Sequence, residues 1–361
     1  MMGKMDTEQE LICEYEGMTK KKFIYITAAS GLLLVLILYA TAAGSLNISF
    51  SRVLAALAGR GEGNTPLIVW NIRLPRVLAA VLAGGGLAVS GAVMQSILKN
   101  PLGSPFTLGV SQAAGFGAAF AIVVLGAGSI EGGDTVSLLL DNPYIITISA
   151  FFWAMVSTGI ILLLIKYKGA SPETMILTGV ALGSLFTAGT TALQYLADEV
   201  ELSSIVFWTF GDVGRATWMN ILLIFVILIP VLVYFIYKSW DYTMLSSGDE
   251  SARSLGVSVE KVRIAGMLLS SLLTAIIISF VGIIGFVGLV APHIGRKLIG
   301  PQERYLLPFS VLIGCILLLA ADTLARTAFS PLVLPVGILT SFLGAPMFIY
   351  LVIRGGEYMW T

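Results

Sequence analysis

The sequence predicts an all-α polytopic membrane protein of about ten transmembrane helices, and three observations carry the prediction. Of 361 residues, 57% are hydrophobic and the mean hydropathy is +0.92, too apolar for an aqueous globule to cover with so few polar groups. Apolar runs recur at about the length, ~20 residues, that crosses ~30 Å of hydrocarbon as a helix. The 21 acidic and 21 basic residues fall between those runs or at their edges.

The first span, 23–43, follows Lys20, Lys21 and Lys22. A signal peptide has similar parts, but this apolar run exceeds the usual ~7–15 residues and sits behind a polar stretch, so it is read as a retained helix. Residues 1–22 then form a polar cytoplasmic extension. The second span, 77–98, has Pro75 where its first turn should be, a place that tolerates a missing N–H. It carries Gly84, Gly85, Gly86, Ala88, Ser90 and Gly91, and the third span, 106–126, repeats Gly109, Ala113, Gly117 and Ala121 at four-residue spacing. Such rows let helix backbones approach closely; a wide pathway for a bulky solute is the competing reading, and both fit different faces. Spans at 144–165, 174–197, 217–237 and 264–283 are apolar runs between polar loops. The eighth, 284–300, is short, contains Gly285, Gly288 and Gly295, and is interrupted by Pro292. It is expected to be broken or re-entrant. Spans at 305–321 and 333–353 complete the transmembrane domain, 23–354, and leave a tail at 355–361.

Lys and Arg set the orientation. With the N-terminus inside, 15 lie on the cytoplasmic side, whereas only Arg52, Arg60, Arg73, Arg76, Arg215 and Arg326 lie outside. Both termini are therefore expected in the cytoplasm of a cell's cytoplasmic, or inner, membrane. The outer loops agree: 127–143 carries Glu131, Asp134 and Asp141, and 198–216 carries Asp198, Glu199, Glu201 and Asp212 against Arg215.

Composition narrows the chemistry. One histidine, His293, and two cysteines, Cys13 and Cys315, offer neither a metal-ligand cluster nor a plausible disulfide. Balanced charge gives no field for nucleic acid. No GxxxxGK[ST] phosphate loop is present, so uphill movement needs energy from elsewhere. No predicted span holds a mid-bilayer carboxylate, which argues against proton coupling. Sodium coupling through carbonyls and hydroxyls stays open, and an ion-coupled secondary transporter is the alternative function. An intramembrane enzyme would need convergent titratable groups, which the spans lack.

The longest cytoplasmic loop, 238–262, reads as folded. Ser247 and Glu250 have capping-box spacing, Asp249 and Glu250 suit a helix start, and Gly256 suits the C′ position. These predict a helix from Gly248 to Leu255 presenting Ala252 and Leu255 on one side, with Ser258 capping the next helix. An ordinary capped loop and a docking surface for a cytoplasmic partner both fit. On the outer side, Arg73 and Arg76 oppose both the positive-inside tendency and the positive end of a helix, a mismatch of ~0.3–1 kcal/mol each. Lipid phosphates or an acidic partner would relieve it. Arg326 has Asp322 four residues before it, so a local ion pair is a competing explanation there.

Four segments carry a resemblance. The run "IRLPRVLAAVLAGGGLAVSGAVMQSILKNPLGSPFTLGVSQAAGFGAA" (72–119) is followed by "GDESARSLGVSVEKVR" (248–263), "FVGLVAPHIGRKLIG" (286–300) and "LAADTLARTAFSPLVLPVGILTSFLGAPMFIYLVIR" (319–354). In order and spacing they resemble the permeases of type II ABC importers for iron-siderophores, haem and cobalamin, over roughly 25–354. The resemblance implies that fold, with ten helices, and a subunit paired with a second copy or a close relative around a central pathway. It implies two cytoplasmic ABC ATPases, an extracytoplasmic substrate-binding protein, and neither a resident cofactor nor catalysis by this chain. By position, Ser247, Asp249, Glu250, Ala252, Arg253, Leu255 and Gly256 belong to the segment seated in the ATPase cleft. Arg73, Arg76 and Arg326 match arginines that meet acidic residues on the binding protein. A ferric siderophore is the expected cargo, with haem and cobalamin as the other candidates.

Overall fold

A computed structural model describes residues 2–44, 48–127, 143–328 and 332–354. The expected tail at 355–361 and the acidic residues Glu131, Asp134 and Asp141 lie outside the described residues.

The described residues form helices joined by loops. α1 (Met2–Ala42) leads to two short helices, α2 (Phe50–Leu57) and α3 (Thr65–Ile68), and a π-turn at Val69–Arg73 feeds α4 (Leu74–Leu98). Then come α5 (Val110–Val123), α6 (Pro143–Lys168), α7 (Pro172–Leu196), the short α8 (Glu199–Thr209) and α9 (Trp218–Tyr237). Two further short helices, α10 (Ser239–Ser246) and α11 (Asp249–Ser254), precede α12 (Val259–Val281), α13 (Val287–Ile299), α14 (Glu303–Thr327) and α15 (Val336–Arg354).

Seven helices among the described residues are long and apolar enough to cross a membrane: Gly17–Ala42, Thr65–Leu98, Tyr144–Lys168, Pro172–Leu196, Trp218–Tyr237, Val259–Val281 and Glu303–Thr327. The other three predicted spans correspond to shorter helices. At ~1.5 Å per residue, α13 is only about 20 Å long, below the ~30 Å of the hydrocarbon core. It follows an unwound segment at 282–286, so the predicted break is present.

α4 is the central element, buried from Ala79 to Leu98 except at Val81 and Leu82. It packs against α9, α12, α13 and α14, while α5 packs against α6 and α7, and α1 lies on α14. The small residues read from the sequence make these approaches possible. An ideal Cβ on Gly91 would stand 1.6 Å from the Gly288 carbonyl oxygen, and one on Gly84 would stand 2.3 Å from that of Gly314. Close helix packing is thus the role of those positions on this face.

The ninth predicted span needs correction. It was expected to end at 321, before Asp322, but α14 continues to Thr327 and takes both Asp322 and Arg326 into the packed interior. Their charges compensate each other there, which removes the reason for ending the helix at an acid.

Candidate functional site

Two polar constructions stand out, one at each end of the helices. The first is built on loop 238–262. α11 is shorter than predicted, and the Ser247–Glu250 capping box does not form: Gly248 occupies the N-cap position at φ 121°, with no side-chain cap. Ser258 likewise takes the N-cap position of α12 without a side-chain bond. The C-terminal prediction holds. Gly256 adopts φ +84°, its N–H donates to the Arg253 carbonyl at 3.0 Å, and the Val257 N–H donates to the Ala252 carbonyl at 2.9 Å. These two bonds make a Schellman ending.

The expected face divides differently. Ala252 is fully buried, whereas Leu255 is 64% exposed. Ser247, Glu250, Arg253 and Gly256 are also exposed. α11 ends at Ser254, so Leu255 is its C-cap residue and lies beyond the last full turn that buries Ala252.

Asp249 turns inward and explains why α11 holds its place. Arg263, buried in α12, forks onto it: Nη1 is 2.7 Å from Oδ2 and Nη2 is 2.8 Å from Oδ1. The same guanidinium donates from Nε to the Ile97 carbonyl at 3.0 Å and from Nη1 to the Ala170 carbonyl at 3.0 Å. The ammonium of Lys99, which follows α4 in a left-handed conformation at φ 47°, also pairs with Asp249. Arg263 is the main cause of a carboxyl held down at about 2, against the opposing pull of burial, and Lys99 adds to the effect. One carboxylate therefore binds α11 to α12, to the end of α4 and, through Arg263, to the α6–α7 connection.

A neighbouring cluster anchors α10. Glu303, buried at the start of α14, accepts a hydrogen bond from Ser96 Oγ at 2.5 Å and lies 3.8 Å from Arg296 Nη2. Arg296 also donates to Gln95, and the Glu303 N–H donates to Thr243 Oγ1 of α10 at 3.3 Å. Sequence reasoning passed over Arg263, Lys99, Arg296 and Glu303 as loop charges. A usable signal was present, since Asp249 and Arg263 stand at opposite ends of the segment 248–263.

The second construction joins the three singled-out arginines. Arg73 donates to the carbonyls of Thr41 and Ala42, and Arg326 donates to those of Ala40 and Ala43, each at 3.1 Å. Together they satisfy carbonyls that the end of α1 leaves without helical partners. Arg326 Nε is 3.0 Å from Asp322 Oδ2, Arg76 Nε is 2.9 Å from Asp322 Oδ1, and Arg76 Nη2 is 3.1 Å from Asp212 Oδ1. Arg73 and Arg326 are buried and Arg76 is largely so, because carbonyls and carboxylates of the chain itself surround them. The local Asp322–Arg326 pair is real.

A cavity of about 570 Å³ lies between α4, the 104–107 turn, the end of α8, the start of α13 and the start of α15. Phe106, Phe210, Phe286 and Phe342 contribute to its wall, and no titratable side chain lines it among the described residues.

The chain is similar to known proteins along almost its whole length. An ABC transporter permease, as it is described, from Methanocaldococcus jannaschii is 52% identical over 341 residues, covering 94% of this chain and 97% of that protein. The hemin transport system permease protein of Yersinia pestis is 36% identical, covering 90% of this chain and 94% of that one. A solved structure described as an inward-facing conformation of a metal-chelate type ABC transporter superposes with a TM-score of 0.78 at 30% identity, covering 92% of this chain and 99% of that one. The FecCD transport family matches residues 32–354, and this multi-pass membrane protein belongs to that family.

Proposed function

We propose that the chain is the membrane-spanning permease subunit of an ATP-driven importer, carrying a metal chelate from an extracytoplasmic binding protein into the cytoplasm. A ferric siderophore is the favoured cargo, with haem and a corrinoid next. Two copies enclose the pathway, and a cytoplasmic ATPase docks on the α10–α11 segment of each. Both termini face the cytoplasm. The observation that carries this reading is the attachment of the exposed helix α11, through Asp249 and Arg263, to the end of the central helix α4. Ser247, Glu250, Arg253, Leu255 and Gly256 form the contact surface, while Asp249 and Ala252 transmit its movement inward.

On the outer face, the binding protein meets the surface around Arg76 and Asp212. Arg73 and Arg326 hold that surface in shape from beneath. An acidic partner would compete with Asp212 for Arg76, so docking should weaken as salt rises.

The test is binding-protein-stimulated ATP hydrolysis by the assembled complex. Gly256→Val strains the left-handed C′ position, and Arg253→Pro interrupts α11 at a cost of ~3 kcal/mol. Both variants should insert normally yet lose stimulation. Wild-type stimulation in both would reduce α11 to a passive connector.

A further inference from the structure

The wall of this cavity includes a residue in a strained backbone conformation. Phe286, between the unwound segment and α13, adopts φ 65° and ψ −29°. A bulky aromatic residue at positive φ is a genuine outlier, and such residues persist only where their surroundings hold them. Here the hold has two parts. The Phe286 carbonyl accepts from the N–H groups of Leu289 and Val290, at 3.0 and 2.8 Å, and so starts α13. Its side chain also sits against Gly344 of α15, where an ideal Cβ would stand 2.4 Å from Phe286 Cβ and 2.5 Å from Cγ.

Gly282 and Gly285 flank the strained segment, so the backbone can turn there with little steric hindrance. Relaxing φ at Phe286 would release the first turn of α13 and swing the ring away from Gly344. The ring lines the cavity, so its position sets the width of that space.

We propose that Phe286 is the gating and specificity-determining side chain of the transport pathway, resting against Gly344 in one state and crossing the cavity in the other. The proposal rests on the importer reading and extends it to substrate class. A wall of aromatic rings, aliphatic side chains and hydroxyls, without titratable groups, suits a bulky chelate that presents an uncharged face and keeps its metal charge compensated inside.

The experiment uses the complete complex, permease with ATPase and binding protein, in liposomes. Ser341 of the cavity wall is changed to cysteine in a Cys13→Ser background, leaving Cys315 buried, and N-ethylmaleimide labelling is timed without nucleotide and after vanadate trapping. The expected wild-type rates differ ~10-fold between the two states. Phe286→Ala should label fast in both. Gly344→Ala, which denies the ring its slot, should label slowly in both and serves as the test if Phe286→Ala does not assemble. A wild-type ratio retained in Phe286→Ala, or in Gly344→Ala where that variant stands in for it, overturns the gate, as do equal wild-type rates in a complex that hydrolyses ATP on stimulation. Absence of stimulated hydrolysis overturns the importer reading and the gate with it.

Discussion

Arg263 and Asp249 meet fork to fork, with nitrogen to oxygen distances of 2.7 and 2.8 Å. The pair joins the first residue of α11 to the first turns of α12. This geometry is the strong form of an ion pair, and the buried partner is the arginine, at 2% exposure. The same guanidinium bonds the carbonyls of Ile97 and Ala170, so it ties α11 to the end of α4 and to the α6–α7 connection as well.

Arg263→Ala should therefore be severe. It leaves Asp249 with Lys99 alone and the buried carbonyls of Ile97 and Ala170 unpaired, a loss of about 1–3 kcal/mol for each orphaned acceptor. Arg263→Lys keeps charge but cannot fork, and should fall between wild type and alanine. Thermal unfolding of the detergent-solubilised chain and stimulated hydrolysis of the complex measure the two consequences.

The same pair predicts a pH response. The Asp249 carboxyl is depressed from its ordinary value to about 2. Its contribution is fully present above the unfolded value of ~3.9 and is lost as pH falls from there through the folded value. Protease protection of loop 238–262 should be flat from neutral pH to about pH 5 and decline below ~pH 4. Asp249→Asn should be less protected at neutral pH and should lack that decline.

At the opposite end of the helices, Asp322 has no exposed surface and carries two arginines. Asp322→Asn should destabilise the chain whether or not the binding protein is present, since it leaves buried cations short of an acid. Arg73→Ala and Arg326→Ala should do likewise by freeing the α1 carbonyls. Arg76→Glu should instead chiefly weaken docking, more so at low salt, as measured by complex affinity across a salt series.

Glycine substitutions separate close packing from open surface. Gly91→Ala would place a Cβ on the Gly288 carbonyl oxygen and should prevent stable folding, as read by size-exclusion profile. Gly159→Ala meets nothing within 4 Å and, in a helix interior, should be neutral or slightly stabilising.

Much of this was legible because bilayer physics writes itself as long apolar runs, and because Gly256, Pro292 and the small-residue rows have local meanings. The rest depends on tertiary partners. The predicted span stops short of Asp322, and only the structure shows Arg76 arriving from another helix to join Arg326 on that carboxylate. Ser247 and Glu250 had capping-box spacing, but Gly248 took the cap and left Asp249 for Arg263. Arg73 and Arg326 looked like surface cations because the four carbonyls that bind them are invisible in a sequence of side chains.

The central claim is that this chain moves its cargo only when a separate ATPase drives it through loop 238–262. The most direct measurement is accumulation of radiolabelled ferrichrome, haem or cyanocobalamin in liposomes holding the purified chain. It is made under sodium and proton gradients, and then with the ATPase, the loaded binding protein and ATP. The account predicts no accumulation from gradients alone and accumulation of one of the three in the complete system. Gradient-driven accumulation without the ATPase would contradict it.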